Sequence, residues 1–359
     1  MHISLLFSLI LSIVVSVFTT LFCIYLLKPV AVHIGLVDTP GGRKTHAHAV
    51  PLIGGVSIFF GFCFSLLCLN ISLSDYRGLL AGSAILVLLG VIDDFRELTP
   101  RVRLAGQCIA TLLLIEWGHI SVDHLGNLFF FGNVNLGIFS FFATMIVVPG
   151  FINAINMIDG HDGLAGLIVL GQALLLAFLN LCLYQIQNVL LLLIFIVVLC
   201  VFLSFNLPLF RRKRASVFMG DAGSTFVGFV IAWFAVELSQ MLCSLPHLTV
   251  NFNPVTVVWI LAYPLYDLLA VVLHRLKTKR SPFIASRDHL HYLLLDIGLR
   301  RGTVTFVIFA FSLLLGLIGL LLATQKMPES WQLVSFLMMF GLYFATTMHL
   351  QKKISMVFV

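Results

Sequence analysis

The chain consists largely of consecutive apolar blocks, and this pattern constrains its fold more than any other feature of the 359 residues. A helix needs about 20 apolar residues to cross the ~30 Å hydrocarbon core of a bilayer. Repeated blocks of about that length predict an all-α polytopic membrane protein with about eleven transmembrane helices. The expected blocks are 3–27, 51–70, 78–92, 104–118, 134–152, 164–183, 187–207, 217–239, 254–273, 303–323 and 331–349.

The composition excludes an ordinary soluble protein. Hydrophobic residues make up 60% of the chain and charged residues only 10%, and the mean hydropathy is +1.09. In soluble domains about a quarter of the residues are charged. The sequence has no repeat period and no hydrophilic linker. We therefore expect one polytopic domain over residues 1–359.

The basic residues indicate an orientation in the membrane. With the amino terminus outside, 19 of the 21 Lys and Arg residues fall on inner connections or the carboxy-terminal tail, and only Arg77 and Lys326 do not. Such a bias follows the positive-inside rule. The net charge of +6 therefore reflects topology and gives no reason to expect a nucleic-acid partner. The inner connections are 28–50, 93–103, 153–163, 208–216 and 274–302.

Most acidic residues share the inner face with these cations. Charges within membrane segments are costly and usually mark ion pairs, ion pathways or chemistry. Asp267 differs, because it lies about two turns inside the ninth block. The residues on inner connections or at the inner ends of spans are Asp38, Asp93, Asp94, Glu97, Asp159, Asp162, Asp221, Asp288 and Asp296.

The motif GVIDDFRELTPRVRLAGQ, residues 90–107, places two carboxylates side by side at the end of an apolar block. Adjacent like charges are unfavourable unless a cation or a proton joins them. Arg96, Arg101 and Arg103 follow closely. We interpret Asp93 and Asp94 as functional groups, with simple helix caps as the alternative.

The motif INMIDGHDGLAG, residues 155–166, continues a polar series with a spacing of three residues. If the segment were helical, Asn153, Asn156, Asp159 and Asp162 would line one face. Gly160, Gly163 and Gly166 would let a ligand or another backbone come close. The alternative is a capped loop with Asn and Asp in turn positions.

The motif SVFMGDAGST, residues 216–225, places Asp221 between Gly220 and Gly223 near the start of a span. A carboxylate there could bind Mg²⁺, and the backbone amides of the helix start could face a phosphate. An amino-terminal helix cap is an equal alternative.

Two further motifs supply cationic donors. VDTPGGRKTHAHAVPLIGG, residues 37–55, carries Arg43, Lys44, His46 and His48, which suit phosphate oxygens. A plain basic loop beside the membrane is the alternative.

HRLKTKRSPFIASRDHLHYLLL, residues 274–295, contains the H-x-H pair His289 and His291. No third ligand has the spacing of a zinc site. Phosphate contact or acid–base work fits these histidines better, with an exposed histidine pair as the alternative.

These residue types point to one kind of chemistry. Carboxylate and amide oxygens without a thiolate set are ligands for Mg²⁺, with Mn²⁺ as a substitute. Metal and cationic side chains together neutralise charge when a phosphoryl group moves between two oxygens. The residues therefore predict a Mg²⁺-dependent reaction on a diphosphate, and the membrane setting implies that one reactant is a lipid.

In order and spacing, the five motifs resemble those of the polyprenyl-phosphate N-acetylhexosamine-1-phosphate transferase family, over about residues 28–302. The resemblance implies a multi-pass enzyme of the bacterial inner membrane with its active-site loops in the cytoplasm. A UDP-N-acetylhexosamine would give its sugar 1-phosphate to undecaprenyl phosphate and release UMP. Members that act on UDP-N-acetylglucosamine, and that start O-antigen or related envelope polysaccharides, are the most similar.

The resemblance, taken with the polar series of the third motif, also implies roles for single residues. The expected catalytic residues are Asp93, Asp94, Asp159 and His289. The expected Mg²⁺ ligands are Asp221 and Asn156. Phe218 would stack on uracil, and Lys44 would lie near the phosphate. The remaining residues expected to bind substrate are Arg103, Asn153, Asp162, Arg275, Arg287 and His291.

Two departures from the family pattern keep alternatives open. Glu97 stands where a third aspartate is usual, and Tyr292 ends an H-x-H-Y pattern where close relatives have H-x-H-H. The donor could therefore be another sugar, such as UDP-N-acetylfucosamine or UDP-N-acetylquinovosamine. An ion-coupled transporter is the alternative from another class. The motifs leave open direct attack or a covalent aspartyl intermediate, and a monomer or a homodimer.

Overall fold

A computed structural model of the chain describes residues 2–38, 49–208, 214–244, 252–281 and 287–357. Side chains are described from residue 4 to residue 354 within these ranges. Lys44, which the sequence assigns to phosphate binding, lies outside the described residues together with Arg43, His46 and His48.

The described ranges contain thirteen α-helices, two short 3₁₀ turns and one small hairpin. The strands β1 (Val37–Asp38) and β2 (Val50–Pro51) pair antiparallel, with Val37 opposite Pro51. The helices are α1 (His2–Ile34), α2 (Gly54–Leu66), α3 (Arg77–Phe95), α4 (Pro100–Gly118), α5 (Ser140–Ile158), α6 (Leu164–Cys182), α7 (Ile186–Asn206), α8 (Gly220–Ser244), α9 (Pro254–Ile260), α10 (Ala262–Lys277), α11 (Leu290–Asp296), α12 (Arg301–Thr324) and α13 (Glu329–Val357).

Each of the eleven predicted blocks contains a helix, which confirms an all-α polytopic membrane protein. Among the described residues, eight helices are long and apolar enough to cross a bilayer, and the bent pair α9–α10 gives a ninth candidate. The predicted count of about eleven differs from this for two physical reasons. Helix α2 has only 13 residues, about 20 Å at 1.5 Å per residue. Helix α4 carries Arg101, Arg103 and Glu116.

The chain divides into two compact units. The first comprises Met1–Ile120 with Val148–Phe234, and the second comprises Ser121–Val147 with Ala235–Val359. The single domain expected from the sequence stays a prediction.

The first unit has a core of interlocking phenylalanine rings. Phe62 of α2, Phe195 of α7 and Phe226 of α8 are fully buried. Phe62 and Phe195 meet edge to face at 5.7 Å, and Phe195 meets Phe226 in the same way at 6.3 Å. Edge-to-face pairs are favoured by the charge distribution of aromatic rings. This packing holds the helices whose ends form the candidate site.

The second unit contains the bent pair, in which α9 and α10 meet at 75°. Pro264 has no amide proton to donate to the carbonyl of Ile260, so the helix cannot continue unbroken through Leu261. Asn253 caps the start of α9 by accepting a 3.1 Å hydrogen bond from the amide of Thr256. The break directs α10 and its residue Asp267 along a new axis.

Candidate active site

In the first unit, the second and fourth motifs meet where two helices approach closely. A side-chain carbon added to Gly90 of α3 would collide with the backbone of Ala222 at the start of α8. Gly55 of α2 has the same relation to Gly223. These glycines are required by the close approach, because any side chain would separate the helices.

Backbone hydrogen bonds fix the segment before α8. The amides of Gly54 and Gly55 donate to the carbonyls of Phe218 and Met219, each at 2.9 Å. The amide of Phe218 donates to the carbonyl of Pro51 at 3.0 Å. The end of the first motif therefore holds the start of the fourth. The backbone of Phe218, predicted to stack on uracil, is fixed, and its side chain is half-buried.

The carboxylate of Asp94 caps helix α8. It accepts a 2.8 Å hydrogen bond from the amide of Asp221 and a 3.3 Å hydrogen bond from the amide of Ala222. Gly220 has a φ of +72°, and a side chain there would come within 2.5 Å of the Asp94 carboxylate. The sequence interpretation in which these amides face a substrate phosphate is wrong for the amides of Asp221 and Ala222, because Asp94 already occupies them.

Asp93 contacts different groups from those that Asp94 contacts. It is buried, and it accepts a 2.6 Å hydrogen bond from the amide of Leu98. Its other oxygen lies 2.6 Å from Nε of Arg103, in an ion pair that lacks the alignment of a hydrogen bond. Neighbouring residues on a helix point about 100° apart, which is why the two acids separate.

Asp221 is the partly exposed acid at the centre of this group. One oxygen accepts a 2.7 Å hydrogen bond from the amide nitrogen of Asn156, which also donates to the hydroxyl of Ser224 at 2.8 Å. The other oxygen lies 3.8 Å from the guanidinium of Arg103. The Asp221 side chain is 30% exposed. A ligand can therefore reach a carboxylate whose orientation the protein already fixes.

The expected helical stripe of the third motif is only partly helical. Asn153 and Asn156 lie on α5, but α5 ends at Ile158, and Asp159 and Asp162 follow in a turn. A single helical face is therefore wrong for these two acids, and their predicted roles stay predictions.

Asn206 holds this turn in place. The amide of Gly163, which has a φ of +75°, donates to the side-chain oxygen of Asn206 at 2.9 Å. The side-chain nitrogen of Asn206 donates to the carbonyl of Val217 at 2.9 Å. Asp162 accepts a long 3.5 Å hydrogen bond from the amide of Ala215. The third and fourth motifs are thereby joined.

The acids of this group repel each other. The pKa of Asp159 is raised to about 7, first by burial and then by the negative charges of Asp221 and Asp162. The side chain keeps some solvent exposure, but protein atoms surround it closely enough for lost hydration to be the largest cause. A cation bound nearby would relieve this repulsion.

Asn153 has structural partners. It exchanges side-chain hydrogen bonds of 3.2 Å and 2.8 Å with Gln107 of α4. Its nitrogen also donates to the carbonyl of Pro149 at 2.8 Å. The pair clamps α4 against α5. Its predicted contact with substrate stays a prediction, and that contact would compete with these bonds.

Four predicted site residues lie in the second unit. His289 and His291 are buried, with rings 5.7 Å apart and nearly parallel. Arg275 is buried, and its Nε lies 3.8 Å from Asp288. Arg287 is exposed; it pairs with Asp296 at 2.7 Å and lies over the ring of Tyr292 at 5.1 Å. Arg275, Arg287 and His289 each lie against a carboxylate, so their predicted contact with an anionic substrate would compete with these pairs.

Sequence reasoning missed Gln107, Asn206 and Tyr343 as partners of the acidic and histidine motifs. Each is a polar residue within or at the end of an apolar block. Polar groups in such positions need hydrogen-bond partners. This signal could have marked them, but it does not say which partner each one takes.

Within the described ranges, no three His, Cys, Asp or Glu side chains are grouped so as to hold a metal ion. This does not exclude Mg²⁺, which proteins commonly bind through one or two carboxylates with water and substrate phosphate. Asp221 and the repulsion around Asp159 fit such a cation. Asn156 meets Asp221 through its nitrogen, which is not a ligand atom.

Comparison with known proteins gives a family. The family model described as glycosyl transferase family 4 matches residues 76–239. An undecaprenyl-phosphate alpha-N-acetylglucosaminyl 1-phosphate transferase of Escherichia coli O157:H7 is 33% identical, over 92% of this chain and 88% of the relative. The chain belongs to glycosyl transferase family 4. Proteins of the same name from Salmonella typhi and Haemophilus influenzae are 34% and 33% identical, over 92% and 94% of this chain and 88% and 94% of their own.

Membership in glycosyl transferase family 4 confirms the resemblance carried by the five motifs. It identifies the chain as a phosphoglycosyltransferase, in preference to the transporter alternative. The family match covers the second, third and fourth motifs. These are the motifs that the first unit brings together around Asp94 and Asp221.

Proposed function

We propose that this enzyme transfers N-acetylglucosamine 1-phosphate from UDP-N-acetylglucosamine to undecaprenyl phosphate and releases UMP, in a reaction that requires Mg²⁺. The observation that carries the proposal is the 33% identity, over 92% of this chain, to a transferase whose name states this sugar and this lipid. The product would start a lipid-linked O-antigen or a related envelope polysaccharide. The enzyme would lie in the bacterial inner membrane, and the bias of Lys and Arg supports a cytoplasmic site.

Asp221 is the residue best suited to hold Mg²⁺, with Asp159 and Asp162 close enough to add negative charge. When bound, the metal would neutralise charge on the diphosphate. Mn²⁺ would serve as a substitute. Asn156 fixes the Asp221 carboxylate through its amide nitrogen, so its contribution in the structure is orientation.

The bond changes are those of a phosphoryl transfer. An oxygen of the lipid phosphate forms a bond to the sugar-bearing phosphorus, the bond to the bridging oxygen breaks, and UMP leaves. A phosphate monoester is largely ionised near pH 7, because its second pKa is about 6. The enzyme therefore has little need to remove a proton from the lipid phosphate. Its main task is to orient that phosphate for attack.

The positions of Asp93 and Asp94 favour direct attack over a covalent aspartyl intermediate. Both oxygens of Asp94 accept hydrogen bonds from α8. Both oxygens of Asp93 are engaged, by Leu98 and Arg103. Hydrogen bonding and ion pairing lower the nucleophilicity of a carboxylate. The two acids would fix the helix start and Arg103, and Arg103 would be available to the diphosphate.

The test uses the full chain in detergent with UDP-N-acetylglucosamine, undecaprenyl phosphate and Mg²⁺. We expect UMP release that stops in EDTA and falls at least about 100-fold in Asp221→Asn, since metal and charge stabilisation are lost together. Asp75→Asn is the matched control, because Asp75 is exposed and bonds only Ser74 among the contacts described. Wild-type turnover by Asp221→Asn would overturn the assignment.

A different donor sugar is a second candidate, because Tyr292 departs from the H-x-H-H pattern that the family resemblance leads us to expect. Tyr292 stacks under Arg287 at 5.1 Å. A screen should compare UDP-N-acetylglucosamine with UDP-N-acetylfucosamine and UDP-N-acetylquinovosamine. The donor with the highest kcat/KM identifies the substrate.

A further inference from the structure

Asp267 of α10 is a buried acid that none of the predicted roles uses. Its side chain is 2% exposed. It accepts hydrogen bonds from the hydroxyl of Tyr343 at 2.8 Å and from the amide of Leu290 at 3.0 Å, and its other oxygen lies 2.7 Å from Nδ1 of His289. Three elements, α10, α13 and the start of α11, therefore meet on one carboxylate.

A carboxylate is not needed to hold these elements together. Replacing a whole buried ion pair by well-packed apolar residues is often neutral for stability, because desolvation of the two charges is costly. In the same unit, Tyr266 bonds the carbonyl of Phe336 at 2.7 Å without any charge. A buried Asp beside an imidazole is therefore better explained by its effect on the imidazole.

That effect is to set the orientation and the tautomer of His289. With the carboxylate as acceptor, the proton of the imidazole lies on Nδ1, so Nε2 is the atom left for a ligand. Tyr343 and the amide of Leu290 occupy the other oxygen and stop the carboxylate from turning. His289 is buried, as is the adjacent, nearly parallel His291. The His289 ring therefore contacts the Asp267 carboxylate at its edge and the His291 ring at its face.

We propose that Asp267 and Tyr343 are positioning residues for His289, so that its Nε2 meets the anionic substrate in one fixed orientation. This inference rests on the proposed function for the role of His289 in the reaction. It assigns neither Asp267 nor Tyr343 to contact with the substrate. The arrangement predicts that both act on turnover only through His289.

The kinetic test is a double-mutant cycle on the full-length enzyme, with UMP release as the readout. Asp267→Asn should lower kcat/KM by about 10-fold or more, the scale found when a group that orients a histidine is lost. Tyr343→Phe should lower it less, by about 2- to 10-fold, because Asp267 keeps its charge and its hydrogen bond from the amide of Leu290. In the His289→Asn background, neither change should lower it further. If Asp267→Asn or Tyr343→Phe lowers kcat/KM by the same factor in the His289→Asn enzyme as in the wild type, the proposal is wrong.

Tyr266→Phe is the matched control, because the buried hydroxyl that it removes bonds the carbonyl of Phe336 and not Asp267, while the ring that packs on Tyr343 at 5.8 Å is kept. It should leave kcat/KM unchanged. An equal kinetic loss in Tyr266→Phe would assign the effect of Tyr343 to general packing. If Asp267→Asn fails to fold, the kcat/KM values of Tyr343→Phe with and without His289→Asn still test whether Tyr343 acts through His289.

A second readout does not depend on turnover. In protein labelled with ¹⁵N-histidine, the signal of His289 should report the Nδ1-protonated ring in the wild type and a changed tautomer mixture in Asp267→Asn. An unchanged signal would overturn the positioning role even in an active enzyme. The expected signal change, combined with no UMP release from any UDP-sugar, would leave the positioning intact and reject the proposed function.

Discussion

The backbone amide of Asp221 donates a 2.8 Å hydrogen bond to the carboxylate of Asp94. The relationship joins two motifs 127 residues apart and gives Asp94 a structural task, since a negative charge at the start of a helix is stabilised by its amides and dipole. It also fixes the first turn of α8, from which the Asp221 side chain projects. The predicted catalytic role of Asp94 and the predicted metal-binding role of Asp221 therefore both depend on this hydrogen bond.

The cap and the charge of Asp94 can be separated by two substitutions. Asp94→Asn keeps an oxygen acceptor, so the protein should stay close to wild-type stability. Asp94→Ala removes both acceptors and should lower the free energy of unfolding by about 0.5–2 kcal/mol. Both should reduce UMP release by about 100-fold if the charge is used in the reaction. Thermal unfolding in detergent and UMP assays measure the two effects, and full activity in Asp94→Asn would limit Asp94 to capping.

The contact between Gly90 and Ala222 should be intolerant of the smallest side chain. Gly90→Ala places a methyl group against the backbone of α8, and such overpacking costs about 1–3 kcal/mol. We expect a lower unfolding temperature and reduced turnover, because the start of α8 must shift. Gly150→Ala is the matched control, since nothing lies within 4 Å of the added carbon. Equal behaviour of the two variants would contradict the close packing.

The raised pKa of Asp159, about 7, predicts a pH-dependent stability in the absence of divalent metal. Between about pH 4 and pH 7 the folded chain keeps a proton that the unfolded chain has lost. Stability should therefore fall as the pH rises through this window and level off above it.

In EDTA, the unfolding temperature of the wild type should decrease from pH 5 to pH 8. Asp159→Asn should show a smaller decrease and exceed the wild type at pH 8, because it cannot ionise. Asp75→Asn, an exposed site, should follow the wild-type profile. If the unfolding temperature of Asp159→Asn depends on pH in the same way as that of the wild type, a group other than Asp159 causes the pH dependence.

The helices could be predicted from the sequence because hydropathy decides them locally. Each apolar block contains a helix. All five motifs were predicted to converge on one pocket at the inner face, because buried charges need partners. The first unit groups the second, third and fourth motifs with the end of the first, and convergence with the fifth stays a prediction. What hydropathy could not supply is the length of α2 and the bend at Leu261, which depend on local capping and on Pro264.

The partner of each polar group could not be predicted, because it depends on contacts between distant residues. Asp93 and Asp94 are adjacent in sequence, yet one binds Arg103 and the other binds the start of α8. The depth of Asp267 within the ninth block indicated an acid in need of a partner but did not say which one. Its actual partners, His289 and Tyr343, follow it by 22 and 76 residues.

Asn206 provides a test of whether the turn of the third motif must be held for activity. It bonds both Gly163 and Val217, so Asn206→Ala leaves a buried donor and acceptor without partners and should cost about 1–3 kcal/mol. The turn that carries Asp159 and Asp162 should loosen, and KM for the UDP-sugar should rise. Steady-state UMP kinetics, taken well below the unfolding temperature, measure this.

The matched control is Asn188→Ala. Asn188 is also buried and also makes two hydrogen bonds, with the side chains of Asn180 at 3.1 Å and Tyr76 at 2.9 Å, but these residues belong to none of the five motifs. A similar loss of stability with an unchanged KM is expected, because the acidic turn keeps both of its bonds. If Asn188→Ala raises KM as much as Asn206→Ala, the effect reflects overall stability, and the turn does not depend specifically on Asn206.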